Sequence, residues 1–287
     1  VRIEPGTVSV ISARDQVLNS ICHQLEVNEA VLEMARGLSS QVTDPTSFTT
    51  YIYNRNLFPD FTPATLEDLG IEHAWARVRI REALKALQQL DPGFGYSPDL
   101  GLTRAYEPII LSGPELHLAA PHQGLMIALD GILPHGITTV LQDEQQLLTA
   151  LGSLAPHDPL LPVQVMDEEV FTNLATVINV DTPASEGQKV LQIEVNEGEQ
   201  MPRLYHKIQT GELKRIETMA NSKTELYLAP ADESDVGMGM PGLGGWVTVL
   251  DSKVGVVVDA RGRPLSLPTN EIARAEALHN WLWELGG

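Results

Sequence analysis

The stretch Glu107 to Gly136, EPIILSGPELHLAAPHQGLMIALDGILPHG, decides how the rest of the chain is read. Ile109, Ile110 and Leu111 form a short apolar run, which suits a strand covered on both faces, and Ser112-Gly113-Pro114 breaks it. Beyond Pro121, Leu125, Met126, Leu129 and Leu133 recur at helical spacing, with Pro121 placed for a first helical turn. The pattern predicts strand, tight turn and helix. A polar turn between a buried parallel strand and a helix is where α/β sheets commonly bind phosphate-bearing ligands, because helix N-terminal amides point outward. That makes Ser112, Gly113, Pro114 and Glu115 the candidate ligand turn, with an ordinary scaffold loop as the alternative.

Working outward, a second unit of the same kind follows. Ile137 to Leu141 reads as a strand and Glu144 to Leu154 as a helix, and consecutive strand-helix units predict a parallel sheet with right-handed crossovers. Upstream, Val8 and Val10 suggest a short strand, after which Ser12 would cap a helix bearing Val17, Leu18, Ile21 and Leu25. On that helix Cys22 would be a buried structural thiol. A short helix is expected from Ala30 to Leu38. The Thr-, Asn- and aromatic-rich segment from Gln41 to Phe61 holds Tyr51, Tyr53 and Phe58, residues suited to packing or to lining a ligand. Thr65 with Asp68 forms a capping pattern near the start of a long helix ending at Leu90, whose Arg77, Arg79, Arg81 and Lys85 would form a solvated basic face.

From Thr176 the pattern becomes strand-like alternation in TVINV, VLQIEV, RLYHKI, ELKRIE and ELYLA, with turns such as Glu197-Gly198 between. A glycine-rich loop, Asp235 to Gly245, precedes strands at Trp246 to Leu250 and Val254 to Asp259. A closing helix near Thr269 to Leu285 should turn Ile272, Ala275, Leu278, Leu282 and Leu285 inward, with Trp281 and Trp283 helping to dock it. These readings divide the chain into an α/β part, 1–175, and a β-rich module with its closing helix, 176–287.

The 287 residues carry 19 basic and 38 acidic side chains, a net charge of -19 that repels nucleic acid and anionic membranes. Mean hydropathy is -0.06, and no apolar run approaches a membrane span. One cysteine excludes an intramolecular disulfide and fits a reducing compartment, with the cytoplasm as the expected location. His117, His122, His135 and His157 lack a metal-ligand spacing, so no metal site is expected. Asp143-Glu144 and Asp167-Glu168-Glu169 each precede an apolar run, which suits helix N-terminal charge better than acid-base work. Gly237 to Gly245 lacks the Lys, Ser or Thr that would complete a phosphate cradle, leaving a mobile lid or domain joint as its reading. No catalytic residue is assigned.

From Thr50 onward the chain resembles the C-terminal half of the glutamate-mutase MutL family, members of the actin/hexokinase/Hsp70-like ATPases. The resemblance rests on FPDFTPATLEDL, on EPIILSGPELHLAAPHQGLMIALDGILPHGITTVLQD, on LGSLAPHDP, and above all on VGVVVDARGRPLSLP with the closing WLWELG. It implies a ribonuclease-H-like, actin-like ATPase subdomain, ATP or ADP with magnesium in a full-length protein, and a role assisting or reactivating an adenosylcobalamin-dependent mutase. Two departures stand out. The family's N-terminal Asp-x-Gly-Ser-Thr phosphate segment is absent, so this part alone is not expected to hydrolyse ATP. The family's Gly-Ser/Thr-Gly-Gly turn is replaced by Ser112-Gly113-Pro114-Glu115, where Pro114 removes an amide donor and Glu115 sets a carboxylate where an anion would sit. A non-enzymatic protein-interaction module with a vestigial cleft is the competing expectation.

Overall fold

The computed structural model describes the chain except residues 15–16, 60, 118, 167–169, 197–201, 219–221 and 287. Near the N-terminus, β1 (Arg2–Glu4), β2 (Thr7–Arg14) and β3 (Val17–Gln24) form an antiparallel sheet. Three helices follow: α1 (Glu29–Gly37), α2 (Pro45–Leu57) and α3 (Leu66–Leu90). A small hairpin, β4 (Tyr96–Ser97) with β5 (Gly101–Leu102), leads to β6 (Ile109–Leu111), α4 (Pro114–His117), α5 (Pro121–Gly131) and β7 (Ile137–Gln142). Then come α6 (Leu147–Leu154), α7 (Leu160–Met166) and β8 (Thr172–Asn179). The remaining strands are β9 (Lys189–Asn196), β10 (Leu204–Gln209), β11 (Leu213–Ile216), β12 (Lys223–Pro230), β13 (Gly245–Leu250) and β14 (Gly255–Asp259), and α8 (Glu271–Glu284) closes the chain.

These elements stack as three layers around a mixed five-stranded sheet of order β11-β14-β8-β7-β6. One face of that sheet carries Val140, Leu174, Ala175, Val177 and Val257 against α3 and α5 in the largest core. The other face carries Ile178, Val256 and Val258 against the antiparallel sheet β10-β9-β12-β13. Coverage on both faces explains why β14, GVVVD, is apolar and buried throughout, whereas β12 alternates exposed and buried residues. A third core joins α1 and α2 to the N-terminal half of α3 through Phe48, Ile52, Ile71 and Trp75.

The strand-turn-helix at 107–136 forms as expected, and β6 pairs parallel to β7. So does the Thr65 cap: Thr65 Oγ1 accepts from the Asp68 amide at 3.0 Å while Asp68 Oδ2 accepts from the Thr65 amide at 3.0 Å. Several expectations are corrected. The helix expected after Ser12 is the hairpin β2-β3, in register from Thr7 opposite Gln24 to Arg14 opposite Val17. The spacing of Val17, Leu18, Ile21 and Leu25 fits a helix, yet Val8, Val10 and Ser12 alternate inward onto α3, and that longer-range packing decides. Cys22 is consequently exposed. The segment after Gln41 contains α2, capped by Asp44 and started by Pro45.

Parallel pairing does not continue: β8 runs antiparallel to β7 and parallel to β14. A boundary between 175 and 176 falls inside β8, the middle strand of the five, and β11 and β14 from the C-terminal part complete its sheet. In α8, Ala275, Leu278 and Leu285 are buried as expected, whereas Ile272 and Trp283 face solvent at 61% and 68% exposure. The Glu197-Gly198 turn and Asp167-Glu168-Glu169 lie outside the described residues.

Because β8 needs β14 on one side and β7 on the other, neither half should fold alone. Residues 1–175 expressed separately are expected to give poorly dispersed NMR spectra and a non-cooperative urea transition. A cooperative transition in that piece would show that the shared sheet is dispensable.

Candidate functional site

Ser112 to Glu115 do come together, but around the protein's own N-terminal strand. The Ile3 amide donates to the Ser112 carbonyl and the Ser112 amide to the Val1 carbonyl, each at 2.9 Å, so the first residues extend the sheet beyond β6. Gly113 has φ +112°, and a Cβ there would lie 2.0 Å from the Ile3 carbonyl oxygen. The close backbone approach that this glycine permits is thus made by β1. Ser112 is buried; its hydroxyl donates to Asp143 Oδ2 at 2.9 Å and accepts from Arg2 Nη1 at 3.2 Å. Asp143 in turn accepts from the Leu147 and Leu148 amides at 2.7 and 3.1 Å, which is the helix N-terminal role expected of it.

Pro114 opens the four-residue α4 and offers no amide. Glu115 points into the protein. Arg79 Nη1 reaches both of its oxygens at 2.9 and 2.8 Å, and Arg55 Nη2 lies 3.2 Å from Oε1. Its charge is therefore neutralised internally and does not front an open cleft. Arg79 also donates to the Glu4 and Thr7 carbonyls, binding β1 and β2 to α3. With the amide of Ser112 used, Gly113 covered and Pro114 lacking a donor, these four residues do not fit a nucleotide phosphate.

The Arg55 guanidinium joins this cluster to a second carboxylate. Its Nε is 2.6 Å from Glu72 Oε1, which also accepts from Tyr51 Oη at 3.0 Å, and Arg55 Nη1 donates to the Pro59 carbonyl. Burial pushes the Glu72 carboxyl up, Arg55 opposes that, and Glu115 adds to it. The same burial, with Glu72 beside it, raises the Tyr51 hydroxyl. On the next position of α3, burial together with Arg77 and His122 holds the His73 imidazole down to about 3, so the ring is neutral at pH 7.

A second buried network lies on the other side of α3. Arg261 is 4% exposed; it places Nη1 2.9 Å from Asp130 Oδ1, and its Nε and Nη2 each 2.9 Å from the two oxygens of Asp259. Arg263 adds a bond to Asp259 at 2.8 Å, and Arg77 Nε sits 3.4 Å from Asp130 Oδ2. Burial alone would raise the Asp259 carboxyl, but Arg261 and Arg263 hold it well below the usual carboxylate range. The basic residues of α3 are not a solvated face: Arg77 and Arg79 are buried at 4% and 3% exposure. The sequence held a signal for this, since Asp130 lies within LMIALDGIL and Asp259 ends VVVD, and acidic groups inside apolar runs require partners.

Comparison with protein-family models, with curated proteins and with solved structures finds no match to the chain. The other sequence candidates stay apart. His117 and His157 are exposed and His122 and His135 half-buried, and no cluster able to hold a metal ion occurs among the described residues. Tyr53 and Phe58 face solvent, while Tyr51 packs edge-on to Phe61. The glycine-rich loop is tied down, with Val236 fully buried, Asp235 and Asp181 exchanging backbone bonds at 2.8 Å, and Gly237 against Gly136.

Replacing Glu115 with Gln should cost about 3 kcal/mol of stability, because two buried arginines lose their shared anion. Urea unfolding measures this, and a cost below ~1 kcal/mol would show that the pairs contribute little. His73 generates a pH dependence with a definite sign. Its folded pKa, about 3, lies below its ordinary 6.5, so between those values the unfolded chain binds the extra proton. Stability should fall as pH drops below 6.5, and His73→Phe should lessen the loss between pH 7 and 5. An unchanged difference between those two pH values would remove His73 from the account.

Proposed function

We propose that this chain is the C-terminal part of a MutL-family actin-like ATPase that assists or reactivates an adenosylcobalamin-dependent mutase in the cytoplasm, and that this part is itself not catalytic. Support for the family comes from the motifs around 107–143 and from VGVVVDARGRPLSLP, whose Asp259, Arg261 and Arg263 form the buried network that fixes the C-terminal helix. Support for the non-catalytic reading is one observation: the Ile3 carbonyl lies over Gly113 and Glu115 is committed to Arg79 and Arg55, so the turn works as scaffold. ATP or ADP with magnesium would belong to the full-length protein and be held chiefly outside these four residues.

A second reading, a protein-interaction module, is favoured by the outer face of β10-β9-β12-β13. Tyr205, Tyr227 and Trp246 stand in one cross-strand row with Glu194 between the tyrosines, at 58%, 38% and 52% exposure for the aromatics. The Tyr227 and Trp246 rings are 5.2 Å apart. Exposed aromatics gathered on one face are characteristic of protein contact surfaces. The two readings are compatible if this face is what meets the mutase.

Calorimetric titration of ATP or ADP with magnesium into the chain should give no saturable heat, and no phosphate should be released. Changing both Pro114 and Glu115 to Gly should lower the unfolding midpoint without creating nucleotide binding. Saturable nucleotide binding by the unaltered chain, with amide shifts centred on Ser112 to Glu115, would overturn the scaffold reading.

A further inference from the structure

Leu69, Glu72, His73 and Ala76 lie at positions i, i+3, i+4 and i+7 of α3 and so share one helical face. That face walls a cavity of about 40 Å³ beside the Glu115 turn, large enough for roughly three water-sized groups. Ile3, Phe61, Leu116 and Ile127 make most of the remaining wall apolar. The polar groups are unevenly satisfied. Both oxygens of Glu115 are engaged by arginine, and Glu72 Oε1 accepts from Tyr51 and Arg55, but Glu72 Oε2 has no donor among the described residues. Glu72 is 9% exposed, and its Oε2 keeps a small accessible surface through which a guest can reach it.

The cations nearby do not make up the deficit. Arg55 is divided between Glu72, Glu115 and the Pro59 carbonyl, and Arg79 between Glu115 and two carbonyls. His73 lines the cavity but is held neutral, so it brings an acceptor nitrogen and no charge. A guest that answers this wall must donate hydrogen bonds, gains most if charged because it meets a carboxylate in a low-dielectric site, and must be apolar elsewhere. It must also be small.

We propose that this cavity binds a primary ammonium group on a short alkyl chain, with Glu72 Oε2 as its counter-ion and Ile3, Phe61, Leu69, His73 and Leu116 around it. A free alkylamine and a lysine side chain of another protein share this chemistry. The site is independent of the reading of the turn as scaffold, since it uses the oxygen of Glu72 and not a vacant amide.

The test follows backbone amide shifts while propylammonium chloride is titrated into the chain, with potassium chloride matching ionic strength and propan-1-ol as the uncharged isostere. Saturable shifts along 69–76 and 115–116 with propylammonium, absent with propanol, are expected. Glu72→Gln keeps an oxygen for Tyr51 and Arg55 and should weaken binding at least tenfold; Ala76→Leu, which fills the cavity without touching a charge, should abolish it. Nα-acetyl-lysine methylamide in a parallel titration separates the sources, since binding comparable with propylammonium points to a partner's lysine and no binding points to a free amine. If propylammonium gives no saturable shift, if propanol gives the same one, or if Glu72→Gln binds as the unaltered chain does, the cavity holds water only and the proposal fails.

Discussion

A single buried guanidinium ties distant parts of the tertiary structure to one another. Arg261 reaches Asp130 at the end of α5 with one nitrogen, both oxygens of Asp259 at the end of β14 with two others, and lies 4.7 Å over the Trp281 ring of α8. Four separate parts of the chain, including α3 through Arg77 and Asp130, are thereby referenced to one another within a few ångströms. Desolvating so many charges is costly, and such a network yields little net stability compared with an apolar core of the same volume. Its geometry is directional: the guanidinium fork aims separate N–H groups at Asp130 and Asp259, a constraint that apolar contacts do not impose.

The same logic governs the turn after β6. A parallel strand feeding a helix leaves amides and a glycine exposed at the sheet's end, and something must satisfy them. Here it is β1, whose Ile3 is fully buried and whose backbone completes the ladder beside Ser112. Pro114 and Glu115 are consistent with that outcome, because a turn covered by its own chain needs no extra donor and can use a carboxylate to bind α3. Residues that would handicap a nucleotide turn serve a closed scaffold here.

What the sequence made legible follows physical range. The stretch 107–136, the Thr65 cap, α1 and the alternating strands after Thr176 depend on residues within about two turns or one strand of each other, and their pattern is legible in the sequence. The hairpin β2-β3 is not, because Val17, Leu18, Ile21 and Leu25 satisfy a helical period, and only α3, on the order of fifty residues away, selects the strand. The burial of the Arg-rich side of α3 is hidden for a related reason. Arginine is most often solvated, and the partners that bury Arg77 and Arg79, Asp130 and Glu115, lie far along the chain.

The long helix α3 shows how one element can meet opposed demands. With 25 residues it is long enough to pass from the α1-α2 core to the five-stranded sheet, and it is buried on nearly every side over its middle turns. A helix so placed cannot present a polar stripe to water, so its charges must be spent on internal partners. Arg77 and Arg81, one turn apart, answer the α5 side, where Asp130 offers a carboxylate and a carbonyl; Arg79, about 200° round the helix, answers Glu115 and the strand ends. Glu72 lies near the turn where the two cores meet and is shared with Arg55 from α2. These pairs leave a gap beside Glu72 and His73, where Glu72 Oε2 has no donor among the described residues, and in the second network Arg77 Nε and Asp130 Oδ2 likewise lack a full hydrogen bond.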